Sequence, residues 1–264
     1  QHNREHVGHY VFPCGGHFDL EARKWNVAVK NMLFYGTDMM PYYNWKDEGI
    51  ALKVSDDPAS LITKECTLER PKVIYNKKTK KFVMWFHLEL RGRGYEAARA
   101  AVAVADKPEG PYKFIGSGRV NPGKVPMNMD AAAKAEMEAL NPADYKEWWV
   151  PKWYQAIEKG LFVKRDLAGG QMSRDMTLYV DDNGKAYHIY SSEDNLTLHI
   201  AELSDDYLSH NGNYVRFAPA GHNEAPAIFK RNGKYWMMYH AYPYEGYECG
   251  PAANGLAWST DENL

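Results

Sequence analysis

The sequence predicts an all-β protein, a five-bladed β-propeller that carries one helical insertion. Short strand-like segments fill most of the 264 residues, a hairpin pattern recurs along the chain, and each copy of it leads into another strand that ends in Asp. A repeated sheet unit of roughly 50 residues is typical of propeller blades. We therefore expect a single domain over residues 1–264. A β-sandwich with coincidentally similar hairpins is the alternative.

The repeat is clearest in the segments 175–190 and 224–239, which align at a constant offset of 49 residues. Each segment contains an Asn-Gly pair, Asn183-Gly184 and Asn232-Gly233. This pair predicts a type I′ hairpin turn in both copies, because both central residues of that turn need a positive φ. A third copy begins at Glu69, and its turn is two residues longer.

Three acidic residues occupy one position of the repeat, since Glu69, Asp175 and Glu224 each open the first recognisable strand of a copy. Equivalent positions of a propeller surround one axis, so we expect the three carboxylates to converge on one cavity, where at least one pKa should rise. Such a cluster suits glycoside hydrolysis or the binding of a hard cation such as Ca²⁺. Alternatively, each acid caps a strand or pairs with an arginine, notably Arg70 or Arg174.

Polar and aromatic residues beside these acids are candidate substrate contacts. They are Gln171 and Arg174 before Asp175, His222 and Asn223 before Glu224, and Tyr95 after a glycine-rich turn. Turn formation or strand packing would explain each of them equally well.

The helical insertion is expected at about 121–170. Residues 130–140 are rich in strong helix formers. Pro142 then opens a second short helix, and a third runs over 151–159 until Gly160 stops it.

Four large aromatic residues cluster in this insertion: Trp148, Trp149, Trp153 and Tyr154. They either pack the insertion onto a blade or form a sugar-stacking wall beside the pocket.

Composition excludes several classes of protein. A net charge of −2, from 32 Lys+Arg and 34 Asp+Glu, excludes a strongly basic nucleic-acid binder. No stretch approaches 18 apolar residues, so we expect no transmembrane helix. The 3 cysteines form no disulfide framework.

The chain starts at Gln1, so we expect that a leader has been removed or the sequence trimmed. We expect an extracellular or periplasmic protein of undetermined oligomeric state.

Four strings resemble glycoside hydrolase family 43, most closely its branch of exo-β-1,3-galactanases and bacterial arabinogalactan enzymes. The strings are ERPKVIYN at 69–76, GQMSRDMT at 170–177, YHIYSSE at 187–193 and HNEAP at 222–226. The resemblance implies a five-bladed propeller and exo-acting, inverting hydrolysis. The expected substrates are plant-type arabinogalactan or arabinan glycans, from which terminal β-galactosyl or α-L-arabinofuranosyl residues would be released.

The resemblance also assigns roles to the residues of these strings. Glu224 resembles the general acid, and Glu69 and Asp175 resemble the acids that hold the terminal sugar and tune the general acid. Tyr95 resembles a pocket tyrosine, and Glu193 is a further candidate substrate contact. No cofactor is implied, although a structural Ca²⁺ stays open.

The general base is the main departure from the family pattern. The family places an Asp on the first blade, but residues 7–19 match that motif poorly, and Asp19 is the candidate. Related enzymes use a glutamine of the last blade, but the sequence diverges after His240 and no glutamine is assigned. An incomplete C-terminal end of the sequence would explain why no such glutamine is found. The alternatives are a glycan-binding propeller that has lost catalysis and a protein-interaction propeller.

Overall fold

The computed structural model describes residues 48–240 in full. Outside this range it describes only the backbone of strand residues, at 9–11, 17–19, 24–26, 29–34, 45–47, 241 and 253–259. The chain divides into two compact units, the first made of residues 1–96 and 101–117 and the second of 97–100 and 118–264.

The first unit is built from antiparallel strands. They are β1 (His9–Val11), β2 (His17–Asp19), β3 (Lys24–Asn26), β4 (Val29–Phe34), β5 (Trp45–Leu52), β6 (Thr67–Asn76), β7 (Lys81–Glu89), β8 (Arg99–Ala105) and β9 (Lys113–Gly118). Their sheets have the orders β1-β4-β5, β2-β3 and β6-β7-β8-β9. The core contains Leu52, Phe86 and Leu88, which are almost completely buried.

The insertion follows β9 and is helical, as predicted. It comprises α1 (Ala131–Ala139), a 3₁₀ turn (Pro142–Asp144), α2 (Pro151–Glu158) and α3 (Leu161–Asp166). Asp130 caps α1 by accepting a hydrogen bond from the Ala133 N–H. Gly160 ends α2 with a φ of 97°, and the chain then continues into α3, which the sequence did not predict.

Two sheets complete the second unit. Their strands are β10 (Met176–Val180), β11 (Ala186–Ser192), β12 (Thr197–Leu203), β13 (His210–Phe217), β14 (Asn223–Arg231), β15 (Lys234–Ala241) and β16 (Ala253–Ser259). Both are simple meanders, in the orders β10-β11-β12-β13 and β14-β15-β16. Ile189, Leu198 and Met237 belong to the apolar core between their strands.

The two Asn-Gly pairs make different turns. Asn232 and Gly233 have φ values of 52° and 70°, so the type I′ prediction is confirmed there. At Asn183-Gly184 only the glycine is left-handed, and the type I′ prediction is wrong. Here the Asp181 N–H donates to the Lys185 carbonyl over 2.9 Å, which closes a three-residue loop that carries its glycine at the left-handed position. The longer turn of the third copy, residues 77–80, is confirmed.

β6 and β14 share a bulge beside their acidic residues. In each strand the acid pairs with a histidine, and the next two residues together face a single residue of the partner strand. Glu69 pairs with His87 and Glu224 with His240, and the bulges are Arg70-Pro71 and Ala225-Pro226. Arg70 and Ala225 have φ values of 52° and 48°. Asp175 stands just before β10, where its carbonyl accepts a hydrogen bond from β11 over 2.8 Å. Glu69 and Glu224 are thus equivalent in structure, whereas Asp175 faces the matching residue of β11, Ser191, without a bulge beside it.

The predicted all-β class with a helical insertion is thus confirmed, and the meandering antiparallel sheets are those expected of propeller blades. The number of blades and the single-domain organisation stay predictions. Within the described ranges, no helix is long and apolar enough to span a membrane.

Candidate active site

Glu224 lies at the start of β14 with its carboxylate partly open to solvent, the side chain being 37% exposed. Its Oε1 accepts a hydrogen bond from Asn195 Nδ2 over 2.8 Å. Its Oε2 lies 3.8 Å from His240 Nδ1. A carboxyl group that is oriented by neighbours and still reaches solvent can meet a substrate and exchange a proton with it. This geometry suits a general acid.

Asp175 lies beside Glu224. Its Oδ2 accepts a hydrogen bond from the Ala225 N–H over 3.1 Å, and Ala225 directly follows Glu224. The structure therefore brings two of the three predicted acids together. Arg174, the arginine considered as a partner for Asp175, has its Nη2 3.8 Å from Asp194 Oδ1.

Asn195 reaches Glu224 from an unusual turn. Glu193, Asp194 and Asn195 have φ values of 53°, 58° and 68°, so three successive residues are left-handed. This conformation costs about 1–2 kcal/mol for each residue with a Cβ. Strain of this kind persists where surrounding contacts fix it, often at functional sites. One such contact is the ion pair between Asp194 Oδ2 and Arg165 Nη1, at 2.6 Å.

Glu193 supports this turn from inside the protein, and its predicted contact with substrate is wrong. The residue is fully buried. Its two oxygens each accept a hydrogen bond from Arg216 over 2.7 Å, and His199 Nε2 lies 2.9 Å from Oε1. Burial alone would raise the pKa of Glu193, but the charge of Arg216 and the hydrogen bonds lower it to about 2. The carboxylate is therefore charged, fully engaged and out of reach of a ligand.

Gln171 and Asn223 are also fully buried, and their predicted contacts with substrate are wrong. Gln171 Nε2 donates to the Val163 carbonyl over 3.2 Å. Asn223 Nδ2 donates to the carbonyls of Ala218 and Leu196 over 2.6 and 3.2 Å. Gln171 thus ties the segment before Asp175 to α3, and Asn223 ties the start of β14 to the neighbouring turns.

His222 is half-buried and stacks on an indole of the insertion. Its ring lies 5.1 Å from that of Trp149, at an interplanar angle of 14°. Burial lowers the pKa of His222, which favours the neutral imidazole. Its contact with substrate stays a prediction, as does that of Arg174.

Glu69, in the first unit, has its own set of partners. The hydroxyl of Tyr95 donates to Glu69 Oε1 over 2.8 Å, and His87 Nδ1 lies 3.2 Å from Oε2. His87 Nε2 lies 2.7 Å from Oε1 of the buried Glu89. Burial opposes a charge on His87, but the hydrogen bonds to Glu69 and Glu89 outweigh it and raise the pKa.

Glu69 does not show the raised carboxylate pKa expected of clustered acids. The hydrogen bond from His87 is the largest influence and lowers its pKa, against the opposing effect of burial. Glu69 belongs to a different unit from Asp175 and Glu224, and its convergence with them stays a prediction.

Sequence analysis missed His87, His240 and Asn195 as neighbours of the acids. The histidines were recognisable in the sequence, since each follows an aromatic residue at the same place in the second strand of its copy, where the copy that begins at Asp175 has Ser191. Asn195 had no such sequence signal, because its approach to Glu224 depends on the left-handed turn.

Comparison with known proteins identifies the family. A family 43 β-1,3-galactosidase, solved with galactodeoxynojirimycin, is 54% identical, and the match covers 96% of this chain and 74% of that one at a TM-score of 0.81. The chain belongs to glycoside hydrolase family 43. The sequence model of the family, described as glycosyl hydrolases family 43, matches residues 152–260. This range includes Asp175 and Glu224.

Further relatives are longer than this chain. An exo-β-1,3-galactanase from Clostridium thermocellum is 26% identical, with a TM-score of 0.65, over 98% of this chain and 45% of that one. A second β-1,3-galactosidase is 28% identical, with a TM-score of 0.61, over 97% of this chain and 48% of that one. A β-D-galactofuranosidase of Aspergillus niger is 30% identical over 70 residues, which are 26% of this chain and 20% of that protein.

The general base and the structural Ca²⁺ are the two expectations for the site that stay open. The side chain of Asp19 lies outside the described residues, and the sequence has no glutamine after Gln171, so the general base stays unassigned. In the part of the chain with described side chains, no group of three or more His, Cys, Asp or Glu could hold a metal ion. The structural Ca²⁺ stays a prediction.

Proposed function

We propose that this family 43 chain is an exo-acting, inverting glycosidase that releases terminal galactose from β-1,3-linked galactan chains, such as those of arabinogalactan. The observation that carries the proposal is the partly exposed carboxylate of Glu224, oriented by Asn195 and His240 and adjacent to Asp175. The relative that is 54% identical is a β-1,3-galactosidase, which supports galactose over arabinofuranose as the released sugar.

In the proposed mechanism, Glu224 protonates the glycosidic oxygen as the bond breaks. A water molecule, activated by the unassigned base, attacks from the opposite face of the sugar ring. An inverting site keeps its two catalytic groups roughly 6.5–9.5 Å apart to leave room for that water. Asp175 and Glu69 would bind hydroxyl groups of the terminal sugar. The proposal needs no cofactor, and its polysaccharide substrate agrees with an extracellular or periplasmic protein.

The test is hydrolysis of β-1,3-galactotriose and arabinogalactan, with the product followed by NMR. Inversion of a β-linkage gives α-galactose as the first product. Glu224→Gln is expected to lower kcat by about 100-fold or more, as general acid catalysis typically contributes at least that much. Glu138→Gln, the same change at an exposed position of α1, is the control and should keep the parental rate.

Other outcomes would redirect the proposal. A parental rate for Glu224→Gln would refute the assignment of the general acid. Calorimetric binding of the trisaccharide with no turnover would indicate a glycan-binding protein that has lost catalysis. Nitrophenyl glycosides of galactopyranose, galactofuranose and arabinofuranose, compared side by side, would identify the released sugar.

A further inference from the structure

The second unit exposes two indole rings of the insertion. Trp148 and Trp149 precede α2 and are 60% and 45% exposed. Trp153 and Tyr154, on α2, are buried in the core of the insertion. The two alternatives offered by the sequence thus apply to different residues, since one pair of rings packs the insertion and the other pair stays at the surface.

Trp149 joins the insertion to the strand that carries Glu224. Its φ is 66°, a value that bulky residues rarely adopt. The ring lies nearly parallel to His222, two residues before Glu224, and it also contacts Trp153 at a centroid distance of 5.2 Å. A strained backbone at a bulky residue is an outlier of the kind that clusters at ligand-binding sites.

Trp148 forms a supported aromatic surface. Its ring lies at 18° to that of Trp153, with 6.1 Å between the centroids. Because Trp153 is buried, Trp148 is held from below by a fixed ring and exposed on its remaining surface. We call Trp148, Trp149 and His222 the aromatic platform.

Galactose offers a matching surface. The axial hydroxyl at C4 of β-galactopyranose leaves the C–H groups of C3, C4 and C5 together on the opposite face of the ring. Such an apolar face can pack against an aromatic ring while the hydroxyl groups remain hydrated. The aromatic platform therefore suits a galactosyl unit.

The exposure of the platform indicates which galactosyl unit it would meet. A general acid acts on the oxygen between the terminal sugar and the next sugar of the chain. An exo-acting enzyme encloses the terminal sugar, whereas the rest of the chain extends into solvent. The rings of Trp148 and Trp149 are 60% and 45% exposed, and Trp149 stacks on His222, two residues before Glu224. This position fits the solvent side of that oxygen.

We propose that the aromatic platform binds the galactosyl units on the leaving-group side of the scissile bond and makes the protein selective for oligosaccharides over single-sugar glycosides. This inference rests on the proposed function, because it takes Glu224 as the general acid.

The first test compares kcat/KM for β-1,3-galactotriose with kcat/KM for nitrophenyl β-galactoside, as a ratio. Trp148→Ala should lower this ratio about tenfold, mainly by raising KM for the trisaccharide, since a lost aromatic contact is worth roughly one decade in affinity. Trp149→Phe keeps a ring and should change the ratio less. Phe229→Ala removes a comparably exposed ring from the hairpin end of β14 and should keep the parental ratio.

The second test measures binding alone and separates failure of the platform from failure of the proposed function. In the Glu224→Gln background, Trp148→Ala should weaken calorimetric binding of β-1,3-galactotriose about tenfold and leave the affinity for galactose the same. That result would support the platform even if the parent protein hydrolysed no galactan. Equal trisaccharide affinities in the two proteins, or no detectable binding by Glu224→Gln itself, would overturn the inference.

Discussion

At the residue scale, the second unit holds a buried charge just behind its candidate active site. Glu193 is enclosed with Arg216 and His199, and the turn that begins at Glu193 ends at Asn195, which donates to Glu224. A buried ion pair adds little net stability over an apolar pair, but removing one partner leaves the other charge buried and unpaired. The pair therefore fixes the conformation of the turn and, through it, the position of Asn195.

Glu193→Gln tests this pair. The unfolded carboxyl has a pKa of about 4.3 and the folded one about 2, so the folded state favours the ionised form. The stability contributed by ionisation is complete above the unfolded value and is lost as pH falls toward about 2. Urea unfolding should show the variant about 3–5 kcal/mol less stable near neutral pH.

The same deficit should shrink as the pH is lowered from about 5 toward 2, because the parent alone loses this ionised group. Glu138→Gln is the control and should change stability by less than about 0.5 kcal/mol. A Glu193→Gln deficit that is constant over this range would contradict the assigned pKa.

At the element scale, the insertion depends on the tight turn between α2 and α3. Gly160 is left-handed, and a Cβ built there would lie 3.1 Å from Met137 Cγ and 3.3 Å from Met129 Cε. Glycine is favoured there both by the backbone conformation and by the close packing of the two methionines against it.

Gly160→Ala is therefore expected to lower the free energy of unfolding by about 1–2 kcal/mol. Gly169→Ala is the matched control, because a Cβ there meets no atom within 4 Å and the residue is not left-handed. Chemical denaturation of both variants checks the difference. Equal stabilities would show that the turn relaxes at no cost.

Particular strands and turns also show how much of the structure could be predicted from the sequence. The sequence could predict the three acids because equivalent positions recur in similar hairpins, and the shared bulges beside Glu69 and Glu224 agree with this. Asn183-Gly184 and Asn232-Gly233 have the same residues but form different turns, because Asp182 is a third loop residue in the first case. The burial of Gln171, Glu193 and Asn223 was not predictable either, since polar residues next to catalytic acids serve as ligand contacts or as internal supports.

At the scale of the whole molecule, the charge is nearly balanced, with 32 basic and 34 acidic residues. A neutral galactan carries no charge for such a protein to attract, and its binding releases no counterions. A galactan substrate, as proposed above, would therefore be held by short-range contacts such as hydrogen bonds and stacking.

We accordingly expect kcat/KM for β-1,3-galactotriose to change less than about twofold between about 50 and 500 mM NaCl, because screening acts only on charged partners. Steady-state assays at constant pH check this. A fall of about tenfold over the same range would contradict it and indicate that the substrate is a charged glycan.

The bulge after Glu224 separates the register of the acid from that of the hairpin half of β14. A single-residue slip along an ordinary strand sends every following side chain to the opposite face. In β14 the extra residue shifts the pairing by one position between Glu224 and Ala227, so Glu224 stays opposite His240 while the hairpin half keeps its own register with β15. Deletion of Ala225 would remove this offset, and Glu224 would then keep its face of the sheet only if the side chains of the hairpin half moved to the opposite face.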